Sequence, residues 1–452
     1  MSTGYSGLNH ALREPLAAEA HSRPSMRLQA PESLTHLAVY AGEDAGTSGR
    51  NAAAQHALLV SLCGHFGVAG PAANARHFFH DFGHFRLKWE CHTEFATYTF
   101  AKKIDHSLPM VAAFQQMPIA YVPKKWLASL QGKTMVAAHM VLASMASSQN
   151  VAVFETPDVF EGMLLVGSQV VQGAQVWTDF LIQSDGFSRF VVQDFGLREQ
   201  EAGLLVQRVL EIETYRMMAL LGLPHAQRAI PALNAIEGEL AQLTAAMVDT
   251  DAAIADAIAC SLPDSADVEQ SLLRQITGLA ARMEKLSLNN SYRFSASQAY
   301  VRLVHARIEE MREARIDGVP TVAEFMDRRL APAMNTCAST AQRQEALAAR
   351  IAHTNDLLRT RVGIVQEQQN RKILQSLNRR AEQQLRLQQA VEGLSVVAIT
   401  YYLAGLLNYL GKAAKTAGWP ITPDLATGFL VPAIAAGVWL GLCRMRRKLH
   451  GT

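Results

Sequence analysis

From Leu394 to Leu410 the chain reads LSVVAITYYLAGLLNYL, seventeen residues without a charge, and from Leu425 to Cys443 it reads LATGFLVPAIAAGVWLGLC, nineteen more. A bilayer core of ~30 Å is crossed by about 20 apolar residues in a helix, with about 17 the lower limit. Both runs reach that length, and Tyr401, Tyr402, Tyr409, Trp419 and Trp439 supply rings suited to the two interfaces. The blander reading is a buried helical hairpin in a soluble core. Two such runs in succession, in a chain otherwise rich in charge, favour the membrane. Arg371, Lys372, Arg379, Arg380 and Arg386 precede the first run, and Arg444, Arg446, Arg447 and Lys448 follow the second. The segment between them has only Lys412 and Lys415 as basic residues. The positive-inside rule then puts both termini in the cytoplasm of a bacterial inner membrane. The basic residues would meet anionic lipid. The opening MSTGYSGLNHALREP has no apolar core of a signal peptide.

These runs explain the composition. Of 452 residues 49% are hydrophobic and only 18% charged, below the usual quarter. Such apolar content excludes a wholly disordered chain. Forty-two basic against forty acidic residues leave +2, too balanced for nucleic-acid binding by bulk electrostatics. The five cysteines, Cys63, Cys91, Cys260, Cys337 and Cys443, are scattered and form no CxxC, which fits reducing surroundings better than a disulfide framework.

Working toward the N-terminus, residues 333–393 are predicted to form a stalk helix with apolar positions near every third or fourth residue. If unbroken from Asn335 to Leu410, it would be ~114 Å long at ~1.5 Å per residue. Its stripe needs helices of its own chain or of identical chains, so a homo-oligomer is expected. Residues 196–332 are rich in helix formers, with breaks expected near Pro224, Pro231, Ser261–Asp264, Gly318–Pro320 and Pro332. Residues 1–195 look α/β: Thr35–Tyr40, Phe85–Phe100, Thr134–Leu142 and Leu164–Gln183 have strand composition, and Gln55–Phe66 and Ala72–His80 have helix composition. Gly42–Gly49 is a loop cluster, and Ser184-Asp185-Gly186 reads as a hairpin turn. The fold class expected is an α+β cytoplasmic domain, then a bundle of long helices, then a two-helix transmembrane hairpin over 394–443 with a basic tail over 444–452.

From Gln369 the sequence QNRKILQSLNRRAEQQLRLQQAVEGLSVVAITYY resembles the junction of a bacterial family described only as membrane-anchored proteins with a domain of unknown function. Similar stretches are AEAHSRP at Ala18–Pro24, KWECHTEFATYTF at Lys88–Phe100, DGFSRF at Asp185–Phe190, QRVLEIETYRMMALL at Gln207–Leu221 and EFMDRRLAPAMNTC at Glu324–Cys337. The resemblance covers nearly the whole chain. It implies an anchor and a shared architecture, with no activity or catalytic residue to carry over. A looser resemblance is to CorA-type magnesium channels, whose first span carries a Gly-Met-Asn signature. Here that place reads Gly405-Leu406-Leu407-Asn408-Tyr409, and the signature is absent.

Candidate sites stand beside plainer readings. Tyr401, Gly405 and Asn408 fall at i, i+4 and i+7, one helical face that could line a pore; Asn408 could equally sit at headgroup depth. On a helix His77, His80, Asp81 and His84 converge at i, i+3, i+4 and i+7, a ligand set for zinc or another divalent metal. A solvated face opposite Phe78, Phe79 and Phe82 has the same pattern. A strand would set Glu90, His92 and Glu94 on one side, for cation binding or acid–base work, or simply facing water. His21 and Arg23 are polar candidates for an anion or interdomain contact, or for a local turn. Gly132-Lys133-Thr134 lacks the first glycine of a P-loop, Leu127 standing in its place, and Gly186–Phe190 lacks the last glycine of a nucleophile elbow. The expected function is a channel or transporter for a cation or small solute; the alternative is a membrane-tethered sensor or scaffold with its spans as anchor.

Overall fold

The computed structural model describes residues 9–14, 16–17, 24–40, 48–106, 108–130, 132–145, 159–170, 173–256, 265–416 and 423–449. Two compact units divide the chain, one of Met1–Ala255 with Arg274–Thr354, the other of Asp256–Leu273 with Asn355–Thr452.

The first unit is built on a nine-stranded mixed sheet: β1 (Glu32–Tyr40), β2 (His77–Asp81), β3 (Arg86–Cys91), β4 (Phe95–Lys103), β5 (Thr134–Ser144), β6 (Val166–Val170), β7 (Ala174–Ile182), β8 (Ser188–Asp194) and β9 (Glu313–Arg315). Their spatial order is β2-β3-β4-β1-β5-β8-β7-β6-β9, and β5 with β8 is the parallel pair. β1 lies inside the sheet and is buried on both faces, as its unbroken burial shows. Alternation sends Leu37, Val39, Leu87, Trp89, Tyr98 and Phe100 to one face, where α1 (Ser48–His65) adds Leu59 and Leu62. Of the short helices α2 (Met110–Gln115) and α3 (Lys124–Ser129), the second adds Trp126 to that core. The other face packs Leu34, Ala38 and Met140 against Leu205, Val209 and Ile212 of α4 (Glu199–Leu220). Gly203 lets α4 lie against the extended segment at Met26, since a Cβ there would stand 1.7 Å from the Met26 carbonyl oxygen.

The remaining helices are α5 (Gly222–Asp256), α6 (Ser265–Met311), α7 (Val322–Arg329), α8 (Ala331–Thr416) and α9 (Pro423–Leu449). Pro224 and Pro332 sit in first turns, where a missing N–H costs nothing. Pro231 lies inside α5, so the break expected there does not occur. The expected break at Ser261–Asp264, like Cys260, lies outside the described residues.

Three local expectations are corrected. Ala72–His80 is no helix; a turn leads into β2, which pairs with β3 from His77↔Glu90 to Asp81↔Arg86. Lys88–Phe100 is a hairpin with its turn at residues 92–94, not one strand. Leu164–Gln183 likewise contains two strands, β6 and β7. The long helix does run unbroken as α8, and an 18-residue window within Ala331–Ala413 has mean hydropathy 1.6 with 6% of it buried. Among the described residues of α9 the apolar helical stretch is Leu430–Gly441, shorter than a span.

Candidate functional site

Register builds a polar patch on the α4 face of the sheet. Pairing of β1 with β4 and of β4 with β3 sets His36, Thr99 and Lys88 in one row across three strands, and Thr97 beside Glu90 in the next. α4 covers this patch with Gln207, Glu211 and Thr214 and leaves a cavity of about 40 Å³, which has room for about three waters. Met26, Leu28, Leu34, Phe95 and Val206 supply its apolar lining.

His36 bridges sheet and helix through both ring nitrogens, Nδ1 to Thr99 Oγ1 at 2.8 Å and Nε2 to Thr214 Oγ1 at 3.1 Å. Thr214 spends its hydroxyl proton on the Leu210 carbonyl at 2.8 Å. Nε2 of His36 therefore carries the ring proton, and Nδ1 accepts from Thr99. Burial first, and the charge of Lys88 second, lower the His36 pKa to about 3, so the ring is neutral.

Beside it runs a chain of charges. Lys88 Nζ lies 3.2 Å from Glu90 Oε1 and donates to Gln207 Oε1 at 3.0 Å. Gln207 Nε2 donates to Glu211 Oε1 at 2.7 Å, and Arg307 pairs with Glu211 Oε2. Arg307 continues to Glu310 at 2.7 Å, which also takes Arg208 at 3.0 Å. Three cations thus balance three carboxylates, from the buried pair Lys88 and Glu90 out to the exposed Glu310. Glu90 Oε1 accepts no hydrogen bond in this arrangement. The donor set suits holding ordered water or a small polar solute.

A second buried cluster ties the β3–β4 turn to α6. Arg293 donates to Glu94 Oε1 at 2.5 Å and to the Tyr40 hydroxyl at 2.9 Å, and the Tyr300 hydroxyl donates to Glu94 Oε2 at 2.7 Å. Both ions are nearly sealed, at 3% and 7% exposure. Burial and then Glu94 itself raise the Tyr300 phenol pKa. Sequence reasoning singled out Glu94 and missed Arg293 and Tyr300, which lie some two hundred residues away in a plain helical stretch. The signal available was an arginine between aromatics in Tyr292-Arg293-Phe294.

The expected metal set does not assemble. A strand sends His77 and His80 to opposite faces; His80 stacks beside Phe78, Asp81 accepts from the Gly83 N–H at 2.8 Å, and His84 stacks on Tyr121. Among the described residues no three His, Cys, Asp or Glu side chains are grouped to hold a metal ion. Of Glu90, His92 and Glu94, the first two line the cavity under α4, His92 stacking on Phe95 there, while Glu94 turns away to Arg293. His21 and Arg23 lie outside the described residues. Tyr401 is 75% exposed on α8, and Asn408 Oδ1 is enclosed without a hydrogen-bond partner. Arg379, Arg380 and Arg386 are exposed on α8, and Arg444 is exposed on α9, which also carries Arg446, Arg447 and Lys448.

A mixed sheet covered on both faces, with a charge-lined cleft under one helix and an 86-residue helix later in the chain, defines an α+β protein with long helices. The chain belongs to a family of proteins of unknown function, DUF3422, whose pattern matches residues 8–449. No curated protein and no solved structure matches it, and the likeness to CorA-type channels gains no support from them.

Proposed function

We propose that the protein is a membrane-tethered sensor or scaffold of the bacterial inner membrane, its sheet unit held in the cytoplasm by two spans. The observation that carries this is the apolar window of α8, of which only 6% is buried. A core helix of that composition would be covered by its own chain; hydrocarbon is the other medium in which it is stable. The arginines before Leu394 and after Cys443 support cytoplasmic termini, and the stretch around Leu430–Gly441, extended to Leu425, supplies the second span. Labelling with a membrane-impermeant maleimide tests the topology. Lys415→Cys should react in intact cells and Ser376→Cys only after permeabilisation; the reverse pattern would sink the proposal.

Partnerless Asn408 favours a second reading, an oligomer passing a cation or small solute between first spans. Asn408→Leu should then change cation flux in proteoliposomes, and unchanged flux removes the pore.

A further inference from the structure

Residues of α6 and α8 line a cleft of about 530 Å³, within the range of small-molecule sites and far larger than the cavity under α4. All of its described lining belongs to the first unit. Ser291, Ser295 and Gln298 stand at i, i+4 and i+7 on α6, facing Asn335 and Gln342 on α8. Phe294, Met334 and Ala341 give the cleft an apolar side.

Behind the cleft wall Ser297 is fully buried, its Oγ set against Gly222 and without a hydrogen-bond partner. Thr214, Thr244 and Thr340 each return their hydroxyl proton to the carbonyl four residues back. Ser297 makes no such bond, which leaves its buried hydroxyl unsatisfied. Gln344, 5% exposed, also lines the cleft and accepts from Asn290 Nδ2 at 3.4 Å, keeping its own amide protons for other acceptors.

We infer that this cleft binds an uncharged polyhydroxyl molecule, a sugar or sugar alcohol. Hydroxyls and amides both donate and accept, matching a ligand whose every oxygen does the same. The one charged residue among the described lining is Glu345, and neither lysine nor arginine is present to meet a phosphate or carboxylate. The apolar side receives the C–H face of a ring.

Calorimetry on the full chain, in a zwitterionic detergent without sugar headgroups, tests this with glycerol, myo-inositol, glucose, trehalose and glucose 6-phosphate. At least one uncharged polyol should bind saturably. Gln298→Ala should weaken it about tenfold, the scale of one hydrogen bond, without lowering the melting temperature. Ala338→Phe, which fills the mouth from the surface of α8, should abolish binding in a folded protein. Glucose 6-phosphate should bind more weakly than glucose. Absence of binding by all four uncharged probes, unchanged affinity in either variant, or tighter binding of the phosphorylated sugar overturns the assignment. Membrane tethering is not needed for any of these outcomes.

Discussion

The sheet unit and the later half of α8 treat their side chains in opposite ways. In the sheet unit charge goes inside with a partner: Glu32 is sealed against Arg86, Glu90 against Lys88, and Glu94 against Arg293. Along α8 apolar groups stay outside: Leu387 is 69% exposed, Leu394 73% and Tyr401 75%. The first pattern belongs to a body folded against water. The second is the pattern that the proposed tether needs, exposed apolar area of the kind found at membrane or partner sites.

The largest effect that would break or sharpen this contrast is expected at Arg293. Arg293→Leu leaves Glu94 charged and buried, and should cost about 3–5 kcal/mol in urea unfolding followed through Trp89, Trp126 and Trp177. Leu406→Ala, at a side chain 61% exposed, should cost under about 0.5 kcal/mol in the same measurement. Equal losses at the two positions would erase the distinction.

Acid comes next. Burial lowers His36 to about 3 and, with Arg189 adding to it against Asp185, His139 to about 4. The unfolded chain therefore binds more protons than the folded one below pH 6.5, the ordinary histidine value. Stability should be full above that pH and fall toward pH 4, by up to about 1.4 kcal/mol per unit for each ring. A His36→Gln variant should show a shallower fall, and an identical slope would refute burial of a neutral ring.

A smaller loss is expected from Gly203→Ala, about 1–3 kcal/mol, because helix and segment must part at Met26. Smallest is Ser297→Ala, which removes an orphaned hydroxyl and should leave unfolding unchanged or slightly improved. A marked loss there would mean that the hydroxyl has a structural partner.

Local patterns were readable in the sequence and distant ones were not. Strand composition marked β1 and β5, the Ser184–Gly186 turn stands between β7 and β8, and helix-forming composition marked the region of α4. His77–His84 misled because a strand followed by a glycine turn can imitate helical spacing over eight residues. In Lys88–Phe100 the turn residues His92, Thr93 and Glu94 contain no glycine or proline, so nothing local broke the run. The site itself depends on register and on packing: His36 meets Thr214 only when α4 crosses β1, and Glu94 meets Arg293 only when α6 reaches the turn. No periodicity carries that information.

The central claim is that the apolar window of α8 lives in a bilayer, and alkaline carbonate extraction tests it most directly. The full chain should remain with the membrane pellet at pH 11, while a chain ending at Gly393 moves to the supernatant. Release of the full chain, or retention of the shortened one, would contradict it.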